Sequence, residues 1–394
     1  MSFKKLIGKM HLWLGLSSGL VVFIVGITGC LYAFIEEIKP LVYKNRMYVE
    51  IPVSAQRLPV ESLIANAEKA LGGKYKVQLA EVNLKPGRTT SFRSLKVNPD
   101  AILYTDYVEY YYRVYVNPYT GEVVKIENTK WEFFNLVINL HVNLLLGPKL
   151  GRQIVSWSVV VFVLLLISGI ILWWPKNKAA ARQRFSFKWK DTTKWKRKNY
   201  DLHNILGFYA MLVLLVISLT GLVFSFEWFK HSVEWMANGG KTYESPKPVF
   251  SDTTDSRAFS PDRIVQAVVS KHANASMMFI PMPKDNKSPV TVLVRMDDKP
   301  LFRSVRSQYD QHTARLLRTA SFKTINNGEK VGALNYDLHV GSILGLPGKI
   351  LAFFASLIAA SLPLTGFYIW WGRKNKNTPK NKTTRKATPA MIEV

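Results

Sequence analysis

The sequence predicts a membrane α-helical protein with four transmembrane helices, built as two duplicated helix, outer-domain, helix halves. Three observations predict it: four long apolar runs, a skewed placement of charge, and self-similarity between the two halves of the chain. The runs extend from Leu12 to about Ile35, Ile154 to Trp174, Ile205 to Phe229 and Leu346 to Trp371. Each is long enough to cross roughly 30 Å of hydrocarbon at about 1.5 Å per residue. The first follows Lys4, Lys5 and Lys9, as a secretory signal would. It exceeds the apolar length of such a signal and lacks a small-x-small cleavage site, so it reads as a retained helix.

A formal net charge of +26 would suggest nucleic acid in a soluble protein, but its placement argues otherwise. Between the second and third runs, residues 176–198 carry ten Lys or Arg against one acid, and the C-terminal tail is similarly basic. Such segments stay on the cytoplasmic side and meet anionic lipid headgroups. Residues 36–130 and 230–335 mix acids and bases nearly evenly, as translocated domains do. Both termini are therefore expected in the cytoplasm and the two large loops outside, in the periplasm of a bacterial inner membrane. The single Cys30 excludes an intramolecular disulfide, a cysteine-held iron–sulfur cluster and a zinc finger, so metal chemistry must use histidine or oxygen ligands.

The duplication is read directly. MHLWLGLSSGLVVFIVGITGCLYAF from Met10 parallels LHNILGFYAMLVLLVISLTGLVFSF from Leu202, with His, a Gly four residues on, and Thr-Gly near the far end in both. NLHVNLLLGPKLG from Asn139 parallels DLHVGSILGLPGK from Asp337, and SGIILWWPKNK from Ser168 parallels TGFYIWWGRKNK from Thr365. Two crossings per copy give both copies one orientation, related by an approximate two-fold axis along the membrane normal. The outer segments fit the scheme more loosely. Amphipathic helices are expected from Val60 and from Ser260, each followed by alternating strand-like stretches. One strand pair should turn at NPYTGEVV, with a weaker echo at YDQHTARLL, where His312 replaces Tyr119.

These paired LHV(x)3LG segments, the (S/T)G(x)3WW helix ends and the YVNPYTGEVV hairpin make the chain resemble the PepSY-associated transmembrane family over nearly its whole length. The resemblance implies transmembrane helix 1 over 1–35, a PepSY-like periplasmic α+β domain over 36–135, and an interfacial segment with helix 2 over 136–175. A basic cytoplasmic loop over 176–202 and helix 3 over 203–230 follow. A second PepSY-like domain over 231–334, an interfacial segment with helix 4 over 335–372 and a basic tail over 373–394 complete the chain. Some members of that family are haem-containing inner-membrane reductases that release iron from ferric siderophores. Others carry a fused flavodoxin-like or ferredoxin-reductase-like domain that this chain lacks.

Four of the seven histidines occupy equivalent places: His11 with His203, and His141 with His339. Topology puts the first pair at the cytoplasmic ends of helices 1 and 3 and the second on the outer side, so the two-fold axis brings together His11 with His203 and His141 with His339. Two imidazoles with no matching Cys, Asp or Glu suit low-spin haem iron, whose other four ligands come from the porphyrin, whereas zinc wants more protein ligands. Gly15 and Gly207, four residues beyond His11 and His203, leave room for a flat macrocycle. Gly147 and Gly345, next to Pro148 and Pro347, should break a short interfacial helix from the following span. His231, His272 and His312 have no counterpart and read as surface or interfacial residues. The Trp173–Trp174 and Trp370–Trp371 pairs read as interfacial anchors, and Cys30 as a small packing residue.

The expected cofactors are thus two b-type haems, with no separate catalytic acid or base. The expected activity is reduction of a periplasmic acceptor, implied by the resemblance to be ferric iron in a siderophore or other ferric chelate. The donor would be a cytoplasmic reductant or membrane quinol. Two other readings stand beside it: a haem-free membrane-anchored PepSY protein that binds or regulates a periplasmic protein, and a quinol-linked b-type cytochrome serving another periplasmic enzyme. No flavin or nicotinamide fingerprint is present, because the glycine clusters lie in or beside apolar helices.

Overall fold

In the computed structural model, which describes residues 2–53, 56–244, 246–296 and 300–374, the chain alternates membrane-length helices with sheet-forming segments. Helix α1 (Phe3–Ala33) is followed by α2 (Val60–Ala70) and by strands β1 (Leu79–Asn83), β2 (Thr90–Val97), β3 (Val108–Val116) and β4 (Val123–Asn128). Next come α3 (Phe133–Asn143), α4 (Pro148–Trp173) and α5 (Trp195–Ser225). The second half continues with α6 (Pro261–Lys271), β5 (Ala275–Pro281), β6 (Val290–Met296), β7 (Val305–Tyr309) and β8 (Leu316–Ala320). It closes with α7 (Asn327–His339) and α8 (Gly345–Lys374). Helices α1, α4, α5 and α8 correspond to the four stretches long and apolar enough to cross a membrane. Helix α5 begins eight residues before the expected start of the third span at 203. Its first turns are Lys- and Arg-rich, and those residues are good helix formers although they end the apolar run.

Local chemistry sets the helix starts. The Ser260 hydroxyl accepts from the Arg263 N–H with Pro261 at the first helical position, and Asn326 with Glu329 forms a reciprocal capping box. Glu132 caps α3 by accepting from the N–H groups of Phe134 and Asn135. The expected break before the second span is made by Leu144 and Leu145, both left-handed, ahead of Pro148. Before the fourth, Gly341 and Gly345 take positive φ.

The four long helices close into a ring in which α1 packs on α4 and α8, and α5 packs on the same two. Helices α1 and α5 therefore face each other across the bundle. Its middle is a dry plug of Val22, Phe162, Leu166, Ala210, Leu214, Ala355 and Ala359.

At one end of the bundle lies the sheet. Both expected hairpins are present, with turns between β3 and β4 and between β7 and β8. The two outer segments expected as PepSY-like domains are joined, however. All eight strands form one antiparallel sheet in the order β4-β3-β2-β1-β5-β6-β7-β8, joined where β1 pairs with β5 from Leu79↔Pro281 to Asn83↔Met277. The reason is burial. Helices α2 and α6 cover one face of the joined sheet, and Leu63, Ala67, Ile264 and Val268 share a single core with Phe92, Val114, Met278, Ile280 and Val292. Neither four-stranded half would cover its own edge strand, so pairing β1 with β5 removes two exposed edges and completes the core. The basic tail expected over 373–394 lies, from 375 onward, outside the described residues.

Candidate functional site

The four candidate histidines fall into two pairs, one on each side of the dry plug. His11 on α1 and His203 on α5 line a cavity of about 440 Å³ at the bundle end away from the sheet. His141 on α3 and His339 on α7 meet at the sheet end, with ring centres 6.3 Å apart and planes at 74°. Thr28 and Thr220, which contact the second pair, each lie seventeen residues beyond His11 and His203. At about 1.5 Å per residue that places the two pairs roughly 25 Å apart along the bundle.

Each ring is held in the same way. His11 Nδ1 is 2.9 Å from the Ser168 hydroxyl, and His203 Nδ1 is 2.9 Å from that of Thr365. His141 Nδ1 is 3.0 Å from Thr28 Oγ1, and His339 Nδ1 is 3.0 Å from Thr220 Oγ1. A hydroxyl has one hydrogen to donate. Thr28 donates to the Ile24 carbonyl, Thr220 to that of Val216, Thr365 to that of Ser361 and Ser168 to that of Leu165. Toward the imidazole each hydroxyl can therefore only accept, and the proton resides on Nδ1. The Ile217 carbonyl, 3.0 Å from His339 Nδ1, makes the same demand. All four imidazoles are thereby fixed in the tautomer that leaves the Nε2 lone pair for a metal.

The residue after each hydroxyl is glycine. A Cβ on Gly29 would lie 3.3 Å from His141 Cε1, on Gly169 3.5 Å from His11 Cε1, on Gly221 3.5 Å from His339 Cε1 and on Gly366 3.2 Å from His203 Cε1. The Nδ1–Cε1 edge of every ring thus lies flat on a Ser/Thr-Gly step of a neighbouring helix. The sequence contains these steps openly as GITGC, ISGII, SLTGL and PLTGF. Their hydroxyls are the functional residues that spacing alone did not reveal as ring holders. The signal was the repetition of hydroxyl-glycine at equivalent places in all four spans.

The pairs fit a haem by their donor set. Among the described residues no three His, Cys, Asp or Glu gather to hold a metal ion, so each site offers two imidazoles only. Two imidazoles on opposite sides of one metal, each nitrogen about 2 Å from it, put their ring centres roughly 6 Å apart, matching His141 and His339. At the other pair Gly15 and Gly207 line the cavity as expected, with Gly8, Gly169 and Gly366. The rest of the lining is largely Leu, Ile and Phe. Trp173, expected as an interfacial anchor, is buried instead and stacks on Phe208 with ring centres 3.9 Å apart. Its indole N–H is buried without a partner among the described residues, at the wall of the same cavity. A π-helical turn over Leu202–Leu206 carries His203 itself, a local departure common at functional sites.

The remaining histidines stand apart from both pairs. His312, in the β7–β8 turn, bonds the carbonyls of Arg257 and Asn286, and His231 sits exposed beside Glu227 and Glu234. Cys30 is buried with Sγ 3.4 Å from the Phe353 carbonyl, a packing contact.

Comparison with curated proteins finds no match. The PepSY-associated TM region family matches residues 9–373, a span that contains all four histidines and all four Ser/Thr-Gly steps. The chain belongs to the PepSY-associated TM region family.

Proposed function

We propose that the protein is a di-haem oxidoreductase of a bacterial inner membrane, passing electrons to a periplasmic acceptor, the ferric iron of a siderophore or other chelate. The observation that carries the reading is the pairing of His141 with His339 at 6.3 Å, with both Nδ1 positions held by threonine. When bound, b-type haems supply reversible one-electron chemistry at each pair. The residues of the chain do the rest. His11 with His203 and His141 with His339 would hold the haem irons, the four hydroxyls orient their rings, and the glycines give them room. Burial of the plug around Phe162 and Leu214 keeps the space between the pairs dry.

The orientation is supported by the basic segment 176–198, since such segments favour the cytoplasmic side and with it a periplasmic sheet. The donor is then a cytoplasmic reductant or membrane quinol reaching the pair of His11 and His203. The duplication is supported by the mirrored strand order about the β1–β5 junction and by the repeated histidine contacts. Each electron delivered turns one ferric ion into ferrous, which hard oxygen ligands hold less well.

The test is to reduce the purified protein with dithionite without oxygen, remove the excess and mix it with ferric chelates beside a ferrous-specific trap. Re-oxidation of the protein with matching appearance of trapped ferrous iron supports the reading. Re-oxidation no faster than in a His141→Ala variant sinks it.

A further inference from the structure

Between the sheet and the histidine pair of α3 and α7 lies a second cavity, of about 870 Å³. Asn135 and Ile138 on α3 and Tyr336 and Val340 beside His339 form part of its wall, so it opens within about two helical turns of both rings. Among the described residues, seven Lys or Arg against four Asp or Glu line it, giving it a cationic excess.

The strand pattern explains where that charge comes from. In β2 and β3 the side chains alternate, so Phe92 and Val114 enter the core under α2 and α6 while Arg93 and Arg113 take the opposite face. The register sets Arg93 directly opposite Arg113. Like charges so placed repel. One carboxylate, Glu81 on β1, is buried between them, ion-paired to Arg93 and 3.2 Å from Arg113 Nη1. Two guanidinium groups on one carboxylate leave a residual positive charge in a half-buried place, where it is poorly screened. Burial and the neighbouring Arg113 accordingly lower the Arg93 guanidinium to about 10. Arg295, opposite Met277 in the joined sheet, adds a third guanidinium at the rim, 3.5 Å from Glu36. The Nε atoms of Arg93, Arg113 and Arg295 are buried and lack a hydrogen-bond partner among the described residues. All three of these guanidinium groups line the one cavity, where a ligand's oxygens can reach them.

We propose that this cavity seats the acceptor and selects chelates that present free carboxylate or equally anionic oxygens, bound by Arg93, Arg113 and Arg295. Guanidinium groups take such oxygens in bidentate fashion, and an oxygen-rich anionic ligand is also the kind that holds a hard ferric ion. The use of the site for reduction rests on the di-haem reading, whereas the binding itself does not. The same carboxylate chemistry could be supplied by the propionates of a haem held at His141 and His339, and the experiment separates the two.

The full-length protein in detergent is titrated calorimetrically with gallium(III) citrate, a redox-inert anionic chelate, and with a neutral gallium(III) tris-hydroxamate, at low and high salt. The expected result is salt-sensitive binding of the anionic chelate, weakened roughly tenfold or more by Arg93→Gln or Arg113→Gln. Arg295→Gln, at a partly exposed position where folding is least at risk, should weaken it several-fold, with the neutral chelate indifferent to all three. Equal affinity for both chelates, or unchanged binding in Arg295→Gln and in whichever buried variant folds, overturns the proposal. So does loss of haem from the arginine variants with chelate binding unchanged, which would assign the guanidinium groups to propionates. Because gallium is not reduced, a haem-free preparation that binds the anionic chelate supports this site while sinking the reductase reading. A two-haem preparation that does not bind it does the reverse.

Discussion

Thr28 and His141 are joined by a 3.0 Å hydrogen bond in which the ring Nδ1–H donates and the threonine oxygen accepts. The bond does two things at once: it fixes the ring's direction across the helix interface and assigns the proton, so that Nε2 is the free nitrogen. Removing it should be felt at one site only. Thr28→Ala is expected to loosen haem at the sheet-side pair by roughly ten- to a hundredfold, with Thr28→Ser restoring it. Haem loss to an excess of a scavenger protein, followed by absorbance, measures this. A Thr28→Ala protein that keeps both haems as firmly as the unaltered one would count against the assignment.

The glycines beside the hydroxyls predict a graded effect. A methyl at Gly366 would stand 3.2 Å from His203 Cε1 and 3.7 Å from its Nδ1, tighter than ordinary contact, whereas one at Gly169 would stand 3.5 Å from His11 Cε1. Gly366→Ala should therefore displace the ring and shift the reduction potential of the haem at His11 and His203. Gly169→Ala should leave it nearly unchanged. A redox titration with two resolved waves reads both, and only one wave should move.

Glu132 ties α3, the helix that carries His141, to the segment that follows α1. Burial pushes its carboxyl up, but the Tyr43 hydroxyl at 2.6 Å, the Lys39 ammonium at 3.6 Å and the N–H groups of Phe134 and Asn135 outweigh that and hold it below the usual carboxylate value. A folded-state value below the unfolded one stabilises the fold at pH values above the unfolded carboxyl, about 4.3. The contribution is lost as the pH falls through the lower folded value. Glu132→Gln should thus lower the Tm at pH 7 by an amount corresponding to about 1–3 kcal/mol. It should cost little below the folded carboxyl's range, where the native side chain is also neutral. A Tm difference that did not shrink on acidification would contradict this.

Joining of the two outer segments makes a further prediction. Leu63 is 1% exposed in a core shared by α2, α6 and strands from both halves. Leu63→Ala should cost about 2–5 kcal/mol, and the loss should be felt across the junction. Hydrogen exchange should show lost protection in β5 and β6 as well as β1 and β2. Loss confined to residues 60–128 would mean that the halves are independent.

Much of this was legible in the sequence because its signals are local or periodic. Apolar length gave the four spans, and the NPYTG and DQHTA turns gave both outer hairpins. The equivalent positions of His11 and His203, and of His141 and His339, gave the two pairs. The β1–β5 junction was not legible, because Leu79–Asn83 and Ala275–Pro281 are far apart in the chain and nothing in either strand names its partner. The Ser/Thr-Gly steps were visible as repeats but not as ring holders, since a hydroxyl's partner lies on another helix. Trp173 illustrates the limit of composition: a WW pair at a helix end reads as an anchor, yet Trp174 is exposed while Trp173 turns inward onto Phe208.

The claim on which the rest depends is that the two imidazole pairs hold haem. Its most direct test is the dithionite-reduced minus oxidised absorption spectrum of the detergent-purified protein, with haem quantified per chain as the pyridine complex. Two b-type haems per chain are expected, one lost with His11→Ala or His203→Ala and the other with His141→Ala or His339→Ala. A chain purified from haem-replete cells without haem would contradict the account.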